Sequence, residues 1–163
     1  MIQIDTREKP HAIAGVKAFF DRHNIEYIDK KMDIADYCVV GKENLVIDRK
    51  RNLQEVAQNL CSNDKSRFWR EIRLAYKNHV RVIVLVEEGG INDLRDVRNW
   101  QSKYQKLSGA RLQEEMYRIA MAYGVEWKFC HKNSTGRIYN VCRKTRNKNS
   151  ATQTGIHTVR SAP

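Results

Sequence analysis

A single mixed α/β domain, one central β-sheet flanked by helices, is what this 163-residue chain predicts. Three features carry the prediction. "VRVIVLVEE" (80–88) is a near-continuous β-branched run, the mark of a strand buried on both faces and so of helices on both sides of a sheet. Short strand-like segments alternate with stretches whose apolar residues recur at helical spacing. The length suits one domain with a real core, and no internal repeat interrupts it.

The elements follow in order. Met1, Ile2, Gln3 and Ile4 open a first strand over 1–5. Pro10 stands where a helix can begin, and Ile13, Val16, Phe19 and Phe20 keep helical spacing until about Asn24. "IEYID" (25–29), "DYCVV" (36–40) and "NLVID" (44–48) read as strands, the last two forming a hairpin through "GKEN". Asn52 can cap a helix carrying Leu53, Val56, Ala57 and Leu60. Residues 65–77 predict a helix with Phe68, Trp69, Ile72, Ala75 and Tyr76 on one face and Arg70, Arg73 and Lys77 on another. The β-branched strand comes next, then a polar stretch (92–107) that fits a helix plus a loop. Leu112, Met116, Ile119, Ala120 and Tyr123 define an amphipathic helix ending at Gly124. "VEWKF" (125–129) is a last strand, and a short helix over 135–143 closes a domain expected to span 1–143. Residues 144–163 read as a basic, disordered tail.

Net charge is +11, and all nineteen acidic residues precede Trp127, whereas six Lys/Arg and no acid follow from Arg137 onward. A basic body with a more basic end suggests a polyanionic partner, nucleic acid first. The longest clean apolar run, Val82 to Val86, is far short of a membrane span. With no secretory leader and four widely spaced cysteines, the chain is expected to be intracellular, in cytoplasm or nucleoid. No GxGxxG follows the first strand and no P-loop is present. Cys130, His131 and Cys142 have a spacing too irregular for a zinc site.

The chemistry gathers around "NLVIDRK" (44–50). Strand side chains alternate, so Asp48 and Lys50 share one face and Arg49 takes the other. A hairpin turning at Gly41–Asn44 sets position 40 opposite about 45, which brings Asp36 level with Asp48 or one residue off. Two carboxylates at strand ends can coordinate Mg²⁺ through oxygens, and a lysine beside them can orient a water or neutralise a phosphate. Asp5 and Glu8, with Arg7 between them, stand at the mouth of the first strand. Four acids gathered in one place need a divalent cation, or Arg7, Arg49 and Lys50, to offset their charge.

A D-x-K triplet alone is too common to identify anything. The ordered set is more specific: "IDTREKP", "IADYCVV", "LVIDRK" and "VIVLVEE" resemble the D-x-R-E, G-D-Y, V-E-R-K and strand-E motifs of the XPF/Mus81 (ERCC4-type) nuclease domain, within the PD-(D/E)xK superfamily. "SGARLQEEMYRIAMAYGVEWKF" resembles that family's next helix and strand, so the likeness runs over roughly 1–142. It implies a restriction-endonuclease-like core and a Mg²⁺- or Mn²⁺-dependent endonuclease that cuts branched DNA (flaps, forks or Holliday-type junctions), as in DNA repair and recombination. It implies Asp36 and Asp48 as metal ligands with Asp5 assisting, Lys50 at the water or phosphate, and Glu8, Arg7 and Arg49 completing the site.

Three positions depart from the family pattern: Ala35 for glycine, Asp48 for glutamate, and Gln54 where an aspartate is common. Gln54 motivates the alternative of a catalytically inactive, XPF-like DNA-binding or partner-binding subunit. A restriction-like enzyme that reads sequence is a third reading, though no segment looks suited to reading base edges. The family's helix-hairpin-helix domains are not expected in a chain of this length, so DNA contacts are expected from the Lys50–Arg51 cluster, the basic face Arg70–Arg73–Lys77 and the tail, where phosphate contacts would position DNA without reading sequence. Met116, Tyr117, Met121, Tyr123 and Trp127 offer more apolar surface than a small core needs, which raises a homodimer as well as simple packing. The small size suits a phage or mobile element.

Overall fold

The computed structural model describes residues 1–61, 67–103, 107–131 and 135–147. Its elements are β1 (Ile2–Ile4), α1 (Pro10–Arg22), β2 (Tyr27–Asp29), β3 (Tyr37–Val39), β4 (Lys42–Lys50), α2 (Leu53–Cys61), α3 (Arg67–Lys77), β5 (Arg81–Glu87), a 3₁₀ turn (Asp96–Asn99), α4 (Gly109–Tyr123), β6 (Glu126–Cys130) and α5 (Thr135–Asn147). The six strands form one mixed sheet in the order β2-β1-β3-β4-β5-β6. Helical crossovers make β1–β2, β4–β5 and β5–β6 parallel, while β3 runs antiparallel to both β1 and β4.

Two cores cover the two faces. Alternate residues of β5 divide between them: Val82, Val84 and Val86 pack with α2, α3 and α4, and Leu85 packs with α1 and α5. Residues 82–86 are all buried, as the β-branched run demands. Leu53, Phe68, Trp69, Leu112, Met116 and Ile119 fill the first core. Ile4, Ile13, Phe20, Tyr37, Ile47, Ile138 and Cys142 fill the second.

The local signals behave as their chemistry requires. Pro10 opens α1, where its missing N–H costs nothing. Asn52 Oδ1 accepts from the Glu55 N–H at 2.8 Å and caps α2. Ser108 caps α4, and Gly124 ends it at φ 68°, the left-handed conformation that glycine adopts without strain. Gly109 has a different reason to be small, because a Cβ there would collide with the backbone carbonyls of Val97, Arg98 and Trp100.

Three segments differ from expectation. The β3–β4 turn is tighter than 41–44: Val39 pairs with Lys42, and a register shift between Cys38 and Val39 absorbs the extra residues before Cys38 pairs with Val46. Position 40 therefore does not face 45. The described part of the 92–107 stretch makes a 3₁₀ turn and a single bridge from Gln101 to Ser108, because the Asp96 carboxylate accepts the Asn92 and Asp93 N–H groups and closes a local loop; residues 104–106 lie outside the described residues. Helix α5 continues past 143 to Asn147, anchored by buried Ile138 and Cys142 with no glycine or proline to stop it. The rest of the expected tail, 148–163, lies outside the described residues.

Candidate active site

Tyr37 pairs with Ile47, so the next pair outward is Asp36 with Asp48, side chains on the same face. On the other side of β3, the Asp5 N–H donates to the Asp36 carbonyl at 2.8 Å, which sets Asp5 beside Asp36. Asp5 just after β1, Asp36 just before β3 and Asp48 near the end of β4 thus gather on the sheet face that carries Cys38, Val46 and Val84. Lys50 follows two residues on and faces the same way. Asp5, Asp36, Asp48 and Lys50 are 0%, 5%, 6% and 8% exposed, a concentration of buried charge that no core requires.

Each group is held differently. Lys50 Nζ donates to Asp48 Oδ1 at 2.8 Å, lies 2.6 Å from Oδ2, and sits 5.2 Å from the centroid of the Phe68 ring. Burial alone would lower the lysine pKa; Asp48 and Asp36 outweigh it and raise the value, so the ammonium stays charged at neutral pH. Asp36 Oδ2 accepts the Arg49 N–H at 2.7 Å. Burial first, and the Asp48 charge second, push the Asp36 carboxyl well above the ordinary carboxylate range. Asp5 has both oxygens in use: Oδ1 accepts the N–H groups of Arg7 and Met32, each at 3.2 Å, and Oδ2 meets Arg7 Nε at 2.6 Å with Arg67 at 3.6 Å.

Glu8 is half-buried, and desolvation raises its pKa against the pull of Arg49; Asp48 raises it further. Arg49 turns its guanidinium to the opposite face, 2.8 Å from Glu87 and 3.0 Å from the Ala12 carbonyl, so it meets the cluster through its backbone N–H. Arg7 bridges Asp5 and, at 3.6 Å, Glu71.

Glu71 and Arg67, on α3, were not expected at the site. Glu71 Oε2 accepts the Ala35 N–H at 3.2 Å, and its Oε1 pairs with Arg67 Nε at 2.6 Å. Ala35 stands at φ 61°, a conformation in which a Cβ is strained, immediately before Asp36. Glu71 thus steadies the turn that aims Asp36. The Arg67–Glu71 spacing of four on a predicted helix was the legible hint. Gln54 points elsewhere: its Oε1 accepts from Ser102 Oγ at 3.1 Å and the Lys103 N–H at 3.2 Å, tying α2 to the loop before α4.

The residues fit a divalent cation in one particular mode. Among the described residues no group of three or more His, Cys, Asp or Glu side chains could by itself hold a metal ion. Mg²⁺, however, is usually held by one or two carboxylates, with water and phosphate oxygens completing the shell. Asp48 Oδ2 is buried without a hydrogen-bond partner of good geometry, and Asp36 favours its proton because burial, and then the nearby Asp48 charge, penalises its carboxylate. A cation in place of that proton relieves both.

Of the expected DNA contacts, Arg70, Arg73 and Lys77 line one exposed stripe of α3, and Arg73 lies 6.0 Å from the Trp69 ring. Arg51 is exposed and pairs with Glu55 at 3.3 Å. Met116 is core, whereas Met121 is 87% exposed beside exposed Tyr117 on α4. No helix among the described residues is long and apolar enough to cross a membrane.

The ERCC4 domain model matches residues 4–142. Among solved structures, XPF from Aeropyrum pernix superimposes with a TM-score of 0.64 at 15% identity, covering 93% of this chain and 68% of that one. XPF from Aeropyrum pernix in complex with DNA gives 0.62 at 17% identity, covering 98% and 68%. No curated protein matches the sequence. At such identities the structural likeness establishes the shared nuclease-type fold.

Proposed function

Because the chain belongs to the ERCC4 domain family, we propose that it is a Mg²⁺- or Mn²⁺-dependent endodeoxyribonuclease that hydrolyses phosphodiester bonds in branched DNA. The observation that carries the reading is the buried Asp36–Asp48 pair, level across two strands, with the Lys50 ammonium against it. Asp36 and Asp48 hold the cation, and Asp5 assists from the neighbouring strand. When bound, the cation neutralises charge on the phosphate under attack. Lys50, kept charged by its neighbours, contacts the phosphate or orients the attacking water. Glu8, whose proton affinity burial has raised, takes up the proton that the attacking water gives up as its oxygen bonds to phosphorus and the P–O bond to the leaving nucleotide oxygen breaks. Arg7 holds Asp5, and Arg49 holds Asp36 through its N–H while its guanidinium anchors the strand.

DNA is gripped by its backbone, through Arg51 and the Arg70–Arg73–Lys77 stripe, so recognition is by shape and suits flaps, forks or four-way junctions of repair and recombination. The exposed Met121 and Tyr117 supply a face for a second copy. The compartment in this reading is intracellular. The test is cleavage of flap, fork, four-way and linear DNA with Mg²⁺ or Mn²⁺ by the full chain and by Asp48→Ala. Cleavage of branched forms that the substitution abolishes is the expected result; no cleavage, or equal cleavage by the variant, defeats the reading.

A second reading, a non-catalytic DNA-binding or partner-binding subunit, draws on Gln54, neutral where the family commonly has an acid and engaged with Ser102 and Lys103. Such a subunit would bind branched DNA and cut none.

A further inference from the structure

On the sheet face opposite Asp48 and Lys50, toward the start of β4 and β5, lies a cavity of about 360 Å³. Leu45, Ile83 and Leu85 form its floor: Leu45 is partnered with Arg81 and Ile83 lies beside Ile47, and all three alternate away from the carboxylate face. Arg137, Asn140, Val141 and Lys144 of α5, spaced as i, i+3, i+4 and i+7, form one wall, and Val141 extends the apolar surface.

The rim is cationic. Lys42, Arg81, Lys128, Arg137 and Lys144 surround the floor, and among the described lining residues the single carboxylate is Glu126. Glu126 pairs with Arg81 and lies 3.7 Å from Lys128. Like charges gathered around an apolar floor repel one another in the free protein, and an anionic ligand offsets that repulsion. The site chemistry of Asp36 and Asp48 makes no use of this side of the sheet.

We propose that this cavity binds one unpaired nucleotide of a single-stranded nucleic acid, its base on Leu45 and Val141, with Ile83 and Leu85 buried beneath, and its flanking phosphates on the Lys128–Arg137–Lys144 side of the rim. The volume is at the small end for a ligand pocket and suits a group of nucleotide size. Single strands are held by a cationic groove beside a surface that meets their bases, commonly aromatic and here aliphatic, whereas an intact duplex keeps its bases stacked away from such a floor. A second copy of the chain is the poorer occupant, because a two-fold contact would set this cationic rim against itself. The inference rests on the nucleic-acid reading given under Proposed function, not on its catalytic part. It gives a branched substrate a hold for its unpaired strand on the side of the domain away from the cut.

The test is fluorescence anisotropy in EDTA with the full chain, a short labelled oligothymidylate, the same oligomer with abasic sites, and a duplex of equal length. The charge-reversing pair Arg137→Glu/Lys144→Glu is expected to weaken oligothymidylate binding about tenfold at moderate salt and to flatten the salt slope by about 1.4, two single-strand phosphate contacts, with duplex binding little changed. The abasic oligomer is expected to bind the parent protein more weakly than oligothymidylate. Lys128→Ala/Lys144→Ala, milder in charge, repeats the test should the first variant misfold by circular dichroism. Unchanged oligothymidylate affinity, equal loss for single strand and duplex, equal binding of the abasic oligomer, or displacement by polyglutamate as effective as by DNA overturns the proposal. Failure to cleave while rim-dependent binding persists would sink the nuclease reading alone; cleavage with rim-independent binding would sink this one alone.

Discussion

Asp36 lies one residue beyond the Tyr37–Ile47 pair of the β3–β4 ladder and Asp48 one residue beyond it on the other strand, both side chains buried. Nothing in the packing needs this juxtaposition, and mutual repulsion opposes it. Its asymmetry is informative. Asp48 has the Lys50 ammonium, while the Asp36 carboxylate accepts the Arg49 N–H.

That asymmetry predicts opposite consequences for two substitutions. Asp36→Asn keeps an oxygen for the Arg49 N–H and removes one of two facing charges, so metal-free stability changes by less than about 1 kcal/mol. Asp48→Ala leaves Lys50 buried without its partner and costs about 3–5 kcal/mol. Urea unfolding of both variants in EDTA checks the contrast.

Arg49 provides the strand anchor on the other face. Arg49→Ala removes the guanidinium that pairs with Glu87 and donates to the Ala12 carbonyl in a mostly buried setting, at about 2–4 kcal/mol. A double-mutant cycle of Arg49→Met with Glu87→Gln is expected to show coupling above about 1 kcal/mol. Coupling near zero would remove this structural role.

Ala35 offers a stabilising change. Glycine tolerates φ 61° where alanine is strained, and against the entropy glycine adds to the unfolded chain the net gain for Ala35→Gly is about 0.5–1 kcal/mol. Glu71→Ala removes the acceptor of the Ala35 N–H and costs about 1–3 kcal/mol. It should also weaken Mn²⁺ binding through misaimed Asp36, an effect that calorimetry separates from simple destabilisation.

The buried thiols set an alkaline limit. Burial, then Glu43, pushes the Cys38 thiol up to about 11; burial, then Cys38, pushes Cys142 up to about 12. Both folded values exceed the ordinary thiol value of 9.0, so the stability they contribute is complete below pH 9 and is lost as pH rises through 11 to 12. The urea midpoint should fall between pH 9 and 11, and fall less steeply in Cys38→Ala/Cys142→Ala.

Much of this was legible before any coordinates. The order of strands and helices followed from apolar spacing, because each element buries one face and its periodicity is forced. Asp48 and Lys50 on one face, and Arg49 on the other, followed from strand alternation alone. The Asp36–Asp48 level was readable only to within one residue, since a bulge between Cys38 and Val39 leaves no composition signal. Glu71 was missed because it reaches the Ala35 N–H from a helix 36 positions away, a contact made by tertiary packing. The cationic cavity was equally hidden, since its rim draws on β4, β5, β6 and α5, which only the fold brings together.

The most direct measurement is a calorimetric titration of Mn²⁺ into the full chain and into Asp36→Asn. The account predicts saturable heat for the parent protein and none for the variant, with both folded by circular dichroism. A parent protein that takes up no Mn²⁺, or a variant that takes it up equally well, would contradict it.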